Sequence, residues 1–166
     1  MARIADGSDT DLRGWLSARP TMAAAWGVMA NAVYNASELP VRVREIARMR
    51  IAEDNECQVC LNTREADADG DGSAPGDDFY THVMQWRTWP GYSERERVAA
   101  EFAERFARDH RGLRDDDGFW ARAHEQFDDG EILALGLCCS MWLGNGRLMR
   151  VLDVAQACTL VLHDAH

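Results

Sequence analysis

Apolar residues along this chain recur at intervals of three and four rather than two, so the pattern is that of packed helices with almost no strand signal. An opening helix is expected over Asp9 to Ala18. Pro20 then starts a second, apolar helix through Met22, Trp26, Met29 and Val33. Ser37 is placed to cap a third segment with Pro40 in its first turn, carrying Val41, Ile46, Met49 and Ile51 on roughly one face. Asn55 offers a further cap, which sets Cys57 and Cys60 in the first turns of the helix that follows. A run rich in aspartate and glycine, residues 67–78, breaks the pattern.

Beyond that run the spacing predicts a short helix from Phe79 to Trp86, then a turn at Trp89-Pro90-Gly91. Ser93 with Glu96 forms a capping box opening a helix to about Asp109, whose Val98, Phe102 and Phe106 repeat every four residues. Another helix is expected from Gly118 to Phe127. Asp128 or Asp129 can cap an apolar helix over Ile132 to Leu143, and Gly144-Asn145-Gly146 is expected to interrupt it before a last helix from Arg147 to about Leu162. There is no internal repeat and no domain boundary. The expectation is one all-α domain, a helical bundle spanning 1–166 with an acidic insertion at 67–78.

Composition narrows the function classes. The 166 residues carry 46% hydrophobic and 28% charged positions and a net charge of −10. So acidic a surface repels phosphate backbones, and no basic stripe offsets it, which argues against nucleic-acid binding. The longest nearly apolar run, Ile132 to Gly144, is short for a bilayer span. No apolar stretch follows the early Arg3, so a secretory signal is not expected and the reducing cytoplasm is the default compartment. In that setting a spaced cysteine pair reads as catalytic, redox or metal-binding before it reads as a crosslink.

The chemistry centres on Cys57-Gln58-Val59-Cys60. Two cysteines three apart near a helix start share a face, and the helix end favours thiolate, the form that attacks peroxides and disulfides. The second thiol can then resolve the oxidised first one. Arg64, one turn beyond Cys60, is placed to add a permanent positive charge. Blander readings stand beside this: two buried, inert cysteines, or half a zinc site for which Cys138, Cys139 and Cys158 have no matching spacing. Cys138 and Cys139 read as small packing residues. No metal or other cofactor is implied.

These residues resemble the carboxymuconolactone decarboxylase superfamily and, within it, the alkylhydroperoxidase D-like branch, marked by a glutamate, eleven residues, then Cys-x-x-Cys-x-x-x-His. Glu45 stands twelve positions before Cys57, and Cys60 follows at the matching offset. The stretch from Leu39 to Ala52 resembles the family's preceding helix. The Trp89-Pro90-Gly91 and Phe127-Asp128-Asp129-Gly130 runs resemble later ones, so the likeness covers about residues 20 to 162. The motif's histidine falls on Arg64, which stays protonated and cannot shuttle a proton. What the resemblance implies is a thiol peroxidase or disulfide reductase. Cys60 would be the attacking thiol and Cys57 its partner, with Glu45 the relay carboxylate and Arg64 an electrostatic substitute. A peroxide or disulfide would be the substrate and a thiol the reductant, in a homo-oligomer without membrane attachment. His82 is a spatial candidate for the missing relay. For Glu45 the alternative is a solvated helix charge pairing with Arg42 or Arg48. The rival functions are a lactone decarboxylase-like enzyme that needs no dithiol, or a helical oligomer without catalysis.

The acidic insertion imitates a calcium loop, with Asp67, Asp69, Asp71 and Gly72 in register and Asp78 at the twelfth place. Ala74 and Pro75 fit that loop poorly, and a flexible, solvated insertion is the favoured reading; its place just after the dithiol helix raises the separate hypothesis that it gates access.

Overall fold

The computed structural model describes residues 2–4, 14–65, 74–157 and 161–162. The expected helix start at Asp9, the aspartates Asp67, Asp69 and Asp71, and Cys158 lie outside the described residues. The helices are α1 (Pro20–Asn35), α2 (Val41–Asn55), α3 (Gln58–Asn62), α4 (Asp77–Thr81), α5 (Glu94–Arg108), α6 (His110–Arg114), α7 (Asp117–Gln126) and α8 (Asp129–Leu152), with 3-10 turns at Gly14–Ala18 and Val83–Gln85. Two-residue strands, β1 (Arg64–Glu65) and β2 (Val161–Leu162), pair in parallel. The fold is all-α, as the helical periodicity predicts.

Local chemistry explains the best-defined starts. Ser93 and Glu96 cap each other at α5, and Asp128 and Glu131 do the same at α8, so the N-cap and N3 backbone N–H groups at each start are satisfied. Asp109 ends α5, and its carboxylate accepts from Gly112 N at 3.0 Å to start the short α6, an element not anticipated from the pattern. Ser37 does not cap α2. Its hydroxyl accepts from Arg44 at 3.4 Å, and Pro40 holds the cap position.

Helix α2 is the axis of the molecule, packed between α5 and α8. Every residue from Val43 to Ala52 is buried, although Arg44, Glu45, Arg48 and Arg50 are among them. The sequence pattern predicts roughly one apolar face. The helix instead goes inside all round because each buried charge has an opposite partner: Arg44 with Glu65, Arg48 with Glu45 and Arg50 with Glu104. Desolvating such charges singly would be prohibitive.

The second departure is α8, which runs unbroken through Gly144-Asn145-Gly146 for 24 residues. Asn55, expected to cap the cysteine helix, closes α2 and reaches across to α8. Its amide donates to Trp142 O at 3.1 Å and to Leu143 O at 3.3 Å, and its carbonyl oxygen accepts from Arg147 Nε at 3.2 Å. Gly146 lets that side chain approach the helix directly, since a Cβ there would meet Asn55 Nδ2. At this length α8 is long and apolar enough to cross a membrane by composition. Its Leu135, Cys138, Cys139, Met141 and Trp142, however, form one wall of the core against α1, α2 and α5. A smaller apolar cluster beside the main core gathers Trp15, Cys57, Val59, Met149 and Val154, and it is here that the dithiol sits.

Candidate functional site

Helix α2 ends at Asn55 with Glu56 in the left-handed region (φ 51°), and that turn swings Cys57 back under the bundle as the residue preceding α3. Cys57 is fully buried and Cys60 half-buried, and both are free thiols. The Cys57 thiol is held below the ordinary range first by the neighbouring Cys60 thiol, which outweighs the opposing effect of burial. The Cys60 main chain and the charges of Arg48 and Arg150 act in the same direction. Cys60 is correspondingly pushed up by its hydrogen bond to Cys57, by burial and by the charge Cys57 then carries. The pair titrates as a unit that gives up its first proton readily and keeps its second.

Arg48 organises the site. Its Nε and Nη2 grip the Glu45 carboxylate at 2.5 and 2.8 Å, while Nη1 donates to Cys60 O at 2.6 Å and Nη2 to Thr63 O at 2.8 Å. One guanidinium thus ties the core of α2 to the middle and the C-terminal end of α3. Glu45 is fully buried rather than a solvated helix charge, and its Oε2 also accepts from Tyr80 OH at 2.7 Å. Burial and the Glu45 charge push the Tyr80 hydroxyl well up, so it remains a donor.

The remaining residues singled out from the sequence lie elsewhere. Arg64 is exposed. Its guanidinium donates to the Leu61 and Thr63 carbonyls and rests over the Tyr80 ring at 4.1 Å. The charges acting on Cys57 are instead those of Arg48 and Arg150. His82 stacks on Trp89 with ring centres 4.5 Å apart, its Nδ1 2.7 Å from Asp78 O, and it does not line the cavity described next. Cys138 and Cys139 are buried on α8, and burial raises the first to about 11. Among the described residues no cluster of histidine, cysteine or carboxylate side chains is arranged to hold a metal.

A cavity of about 690 Å³ opens between α1, α2, α3 and α8. Its walls are apolar, with Trp26, Met141, Trp142 and Met149 prominent, and Cys60, Arg48 and Tyr34 bring polar groups to it. Cys57 does not line it. Sequence reasoning missed Arg48 as the organising residue, although its i+3 position from Glu45 was a usable signal. It also missed Tyr34 and Tyr80, for which no local signal exists, because both arrive from distant segments.

No protein-family model matches the chain, and no curated protein does. Among solved structures, the crystal structure of a protein of unknown function from Agrobacterium tumefaciens, described there as a candidate antioxidant-defence protein AhpD, superposes with a TM-score of 0.72 over 92% of this chain and 96% of that one, at 18% identity. At that identity the likeness speaks to architecture alone: the chain has the all-helical AhpD-like fold.

Proposed function

We propose that this protein is a thiol-dependent oxidoreductase that reduces organic hydroperoxides or disulfides with the Cys57–Cys60 dithiol. The observation that carries the reading is the division of labour between the sulfurs: Cys60 lines the apolar cavity, while Cys57 is sealed directly behind it and coupled to it. A substrate entering the cavity meets one thiol only, and the second is in place to trap the oxidised product.

In this reading the pair holds a single shared proton, and its transfer to Cys57 leaves the anion on Cys60. The Cys60 thiolate attacks the terminal peroxide oxygen, forming S–O and breaking O–O, so that sulfur loses two electrons and the peroxide gains them. The Cys57 thiol then attacks the sulfenic sulfur. The S–S bond forms, and the hydroxyl leaves as water with the Cys57 proton. An external thiol reductant restores the pair. Glu45 acts by holding Arg48, which fixes the cysteine turn and contributes positive charge. Arg64 has no part in the chemistry.

The test is titration of free thiols before and after dilute tert-butyl hydroperoxide. Loss of both thiols of the pair, abolished in Cys60→Ser, is the expected result. Retention of all thiols would remove the proposal, and turnover of a lactone that survives replacement of both cysteines would replace it with the decarboxylase-like alternative.

A further inference from the structure

We infer that Tyr34 is the proton donor to the leaving oxygen when Cys60 attacks a hydroperoxide in the cavity, a role that rests on the function proposed above. Tyr34 lies near the C-terminal end of α1 and lines the same cavity as Cys60 and Arg48. Its oxygen accepts from Trp142 Nε1 at 3.1 Å, which orients the phenol, and its own O–H has no acceptor among the described residues. A phenol held as an acceptor while its proton goes unused is poised to donate to whatever enters. Trp26, also on the cavity wall, has a buried indole N–H without an acceptor among the described residues. The cavity therefore offers unused donors on apolar walls, which suits a ligand with an apolar body and an oxygen-bearing head.

The electrostatics agree with a donor role. Burial, opposed by the Arg48 charge and reinforced by Glu45, raises the Tyr34 hydroxyl to about 12, so it enters the reaction protonated. An alkoxide expelled from a hydroperoxide is a far stronger base than this phenolate, and proton transfer to it is downhill. As Cys60–S⁻ takes the terminal oxygen, the O–O bond breaks and the departing alkoxide receives the Tyr34 proton, leaving as the alcohol. The negative charge that began on the thiolate ends on Tyr34, which water reprotonates at neutral pH. No histidine is needed for this step, which fits a motif whose histidine position is occupied by an arginine that does not line the cavity.

Tyr34→Phe keeps the shape of the wall and removes the proton. Three electrophiles separate the roles: tert-butyl hydroperoxide, whose leaving group is strongly basic; 3-chloroperoxybenzoic acid, whose leaving carboxylate is weakly basic; and iodoacetamide, whose iodide needs no proton. The variant is expected to lose roughly 100-fold in oxidation rate with the first, within the usual range for general acid catalysis. The other two rates are expected to change by less than about threefold, because neither leaving group needs a proton. Equal losses with all three, or no loss with the first, would overturn the role of Tyr34 while leaving the dithiol reading intact. A wild-type protein alkylated at Cys60 but inert to both peroxides would overturn the dithiol reading, and the role of Tyr34 would fall with it.

Discussion

Arg48 and Cys60 are joined by a hydrogen bond from the Arg48 guanidinium to the Cys60 carbonyl oxygen at 2.6 Å, which couples the buried charge of α2 to the backbone that presents the thiol. The same guanidinium is neutralised by Glu45, and Glu45 in turn accepts from Tyr80. The dithiol is therefore supported from behind by charge rather than by apolar packing alone, and its geometry is expected to depend on residues that never meet a substrate.

Removing the carboxylate charge tests that dependence. Glu45→Gln leaves Arg48, itself 3% exposed, without its counter-charge, and such uncompensated burial costs about 3–5 kcal/mol. Tyr80→Phe deletes one hydrogen bond to a buried carboxylate and should cost about 1.5–3 kcal/mol. Urea unfolding at neutral pH measures both. A Glu45→Gln loss below about 1 kcal/mol would show that the pair contributes little, as exposed pairs do.

Thiol reactivity should follow pH with a displaced midpoint. Because the first ionisation of the pair is favoured, alkylation by iodoacetamide should persist below the ordinary thiol range and disappear only as pH falls through the lowered midpoint. Arg150→Gln removes one of the charges acting on Cys57 and should move the midpoint up. Arg64→Gln should leave the rate within about threefold of wild type, since an exposed charge contributes little. A larger effect at Arg64 than at Arg150 would reverse the electrostatic assignment. Cys138 and Cys139 should resist labelling until the protein unfolds, because burial holds both thiols up.

Two glycines in α8 should respond with opposite signs. A Cβ at Gly144 meets nothing within 4 Å, so Gly144→Ala should stabilise by about 0.5–1 kcal/mol through helix propensity. At Gly146 the added methyl meets Asn55, with Cγ at 3.2 Å, and the Asn55 amide is pinned by two backbone acceptors and Arg147. Gly146→Ala should therefore destabilise by about 1–3 kcal/mol, the usual cost of overpacking. Thermal unfolding of the two variants side by side decides it.

Acid should weaken the fold through Glu104. Burial alone would raise this carboxyl, but hydrogen bonds from Arg87 and Trp86 and the charge of Arg50 hold it down to about 2, against 4.5 ordinarily. Between those values the unfolded chain binds the proton and the folded one does not. The contribution is therefore complete above about 4.5 and drains away as pH falls toward about 2. In Glu104→Gln the pH dependence over that window should flatten. The variant should lose about 3 kcal/mol at neutral pH, because Arg50 is left buried without its carboxylate. An unchanged slope of stability against pH would contradict this.

The sequence by itself determined what depends on neighbours along the chain. The capping pairs Ser93–Glu96 and Asp128–Glu131, the helix beginning at Pro20, and the placement of both cysteines at one short turn are all set by contacts a few residues apart, and such contacts survive without knowledge of the fold. Tertiary structure decided the rest. Only packing shows that α2 is buried on every side, because its charges are tolerable only once Glu65 and Glu104 arrive from elsewhere to neutralise Arg44 and Arg50. Only packing turns the Gly144-Asn145-Gly146 signal from a break into a site of close approach, since Asn55, about ninety residues away, occupies the space a side chain would need. The functional groups divide the same way. Glu45, Cys57 and Cys60 share one local spacing, whereas Tyr34 and Tyr80 stand on other helices, α1 and α4, whose docking against the cysteine turn no local pattern encodes.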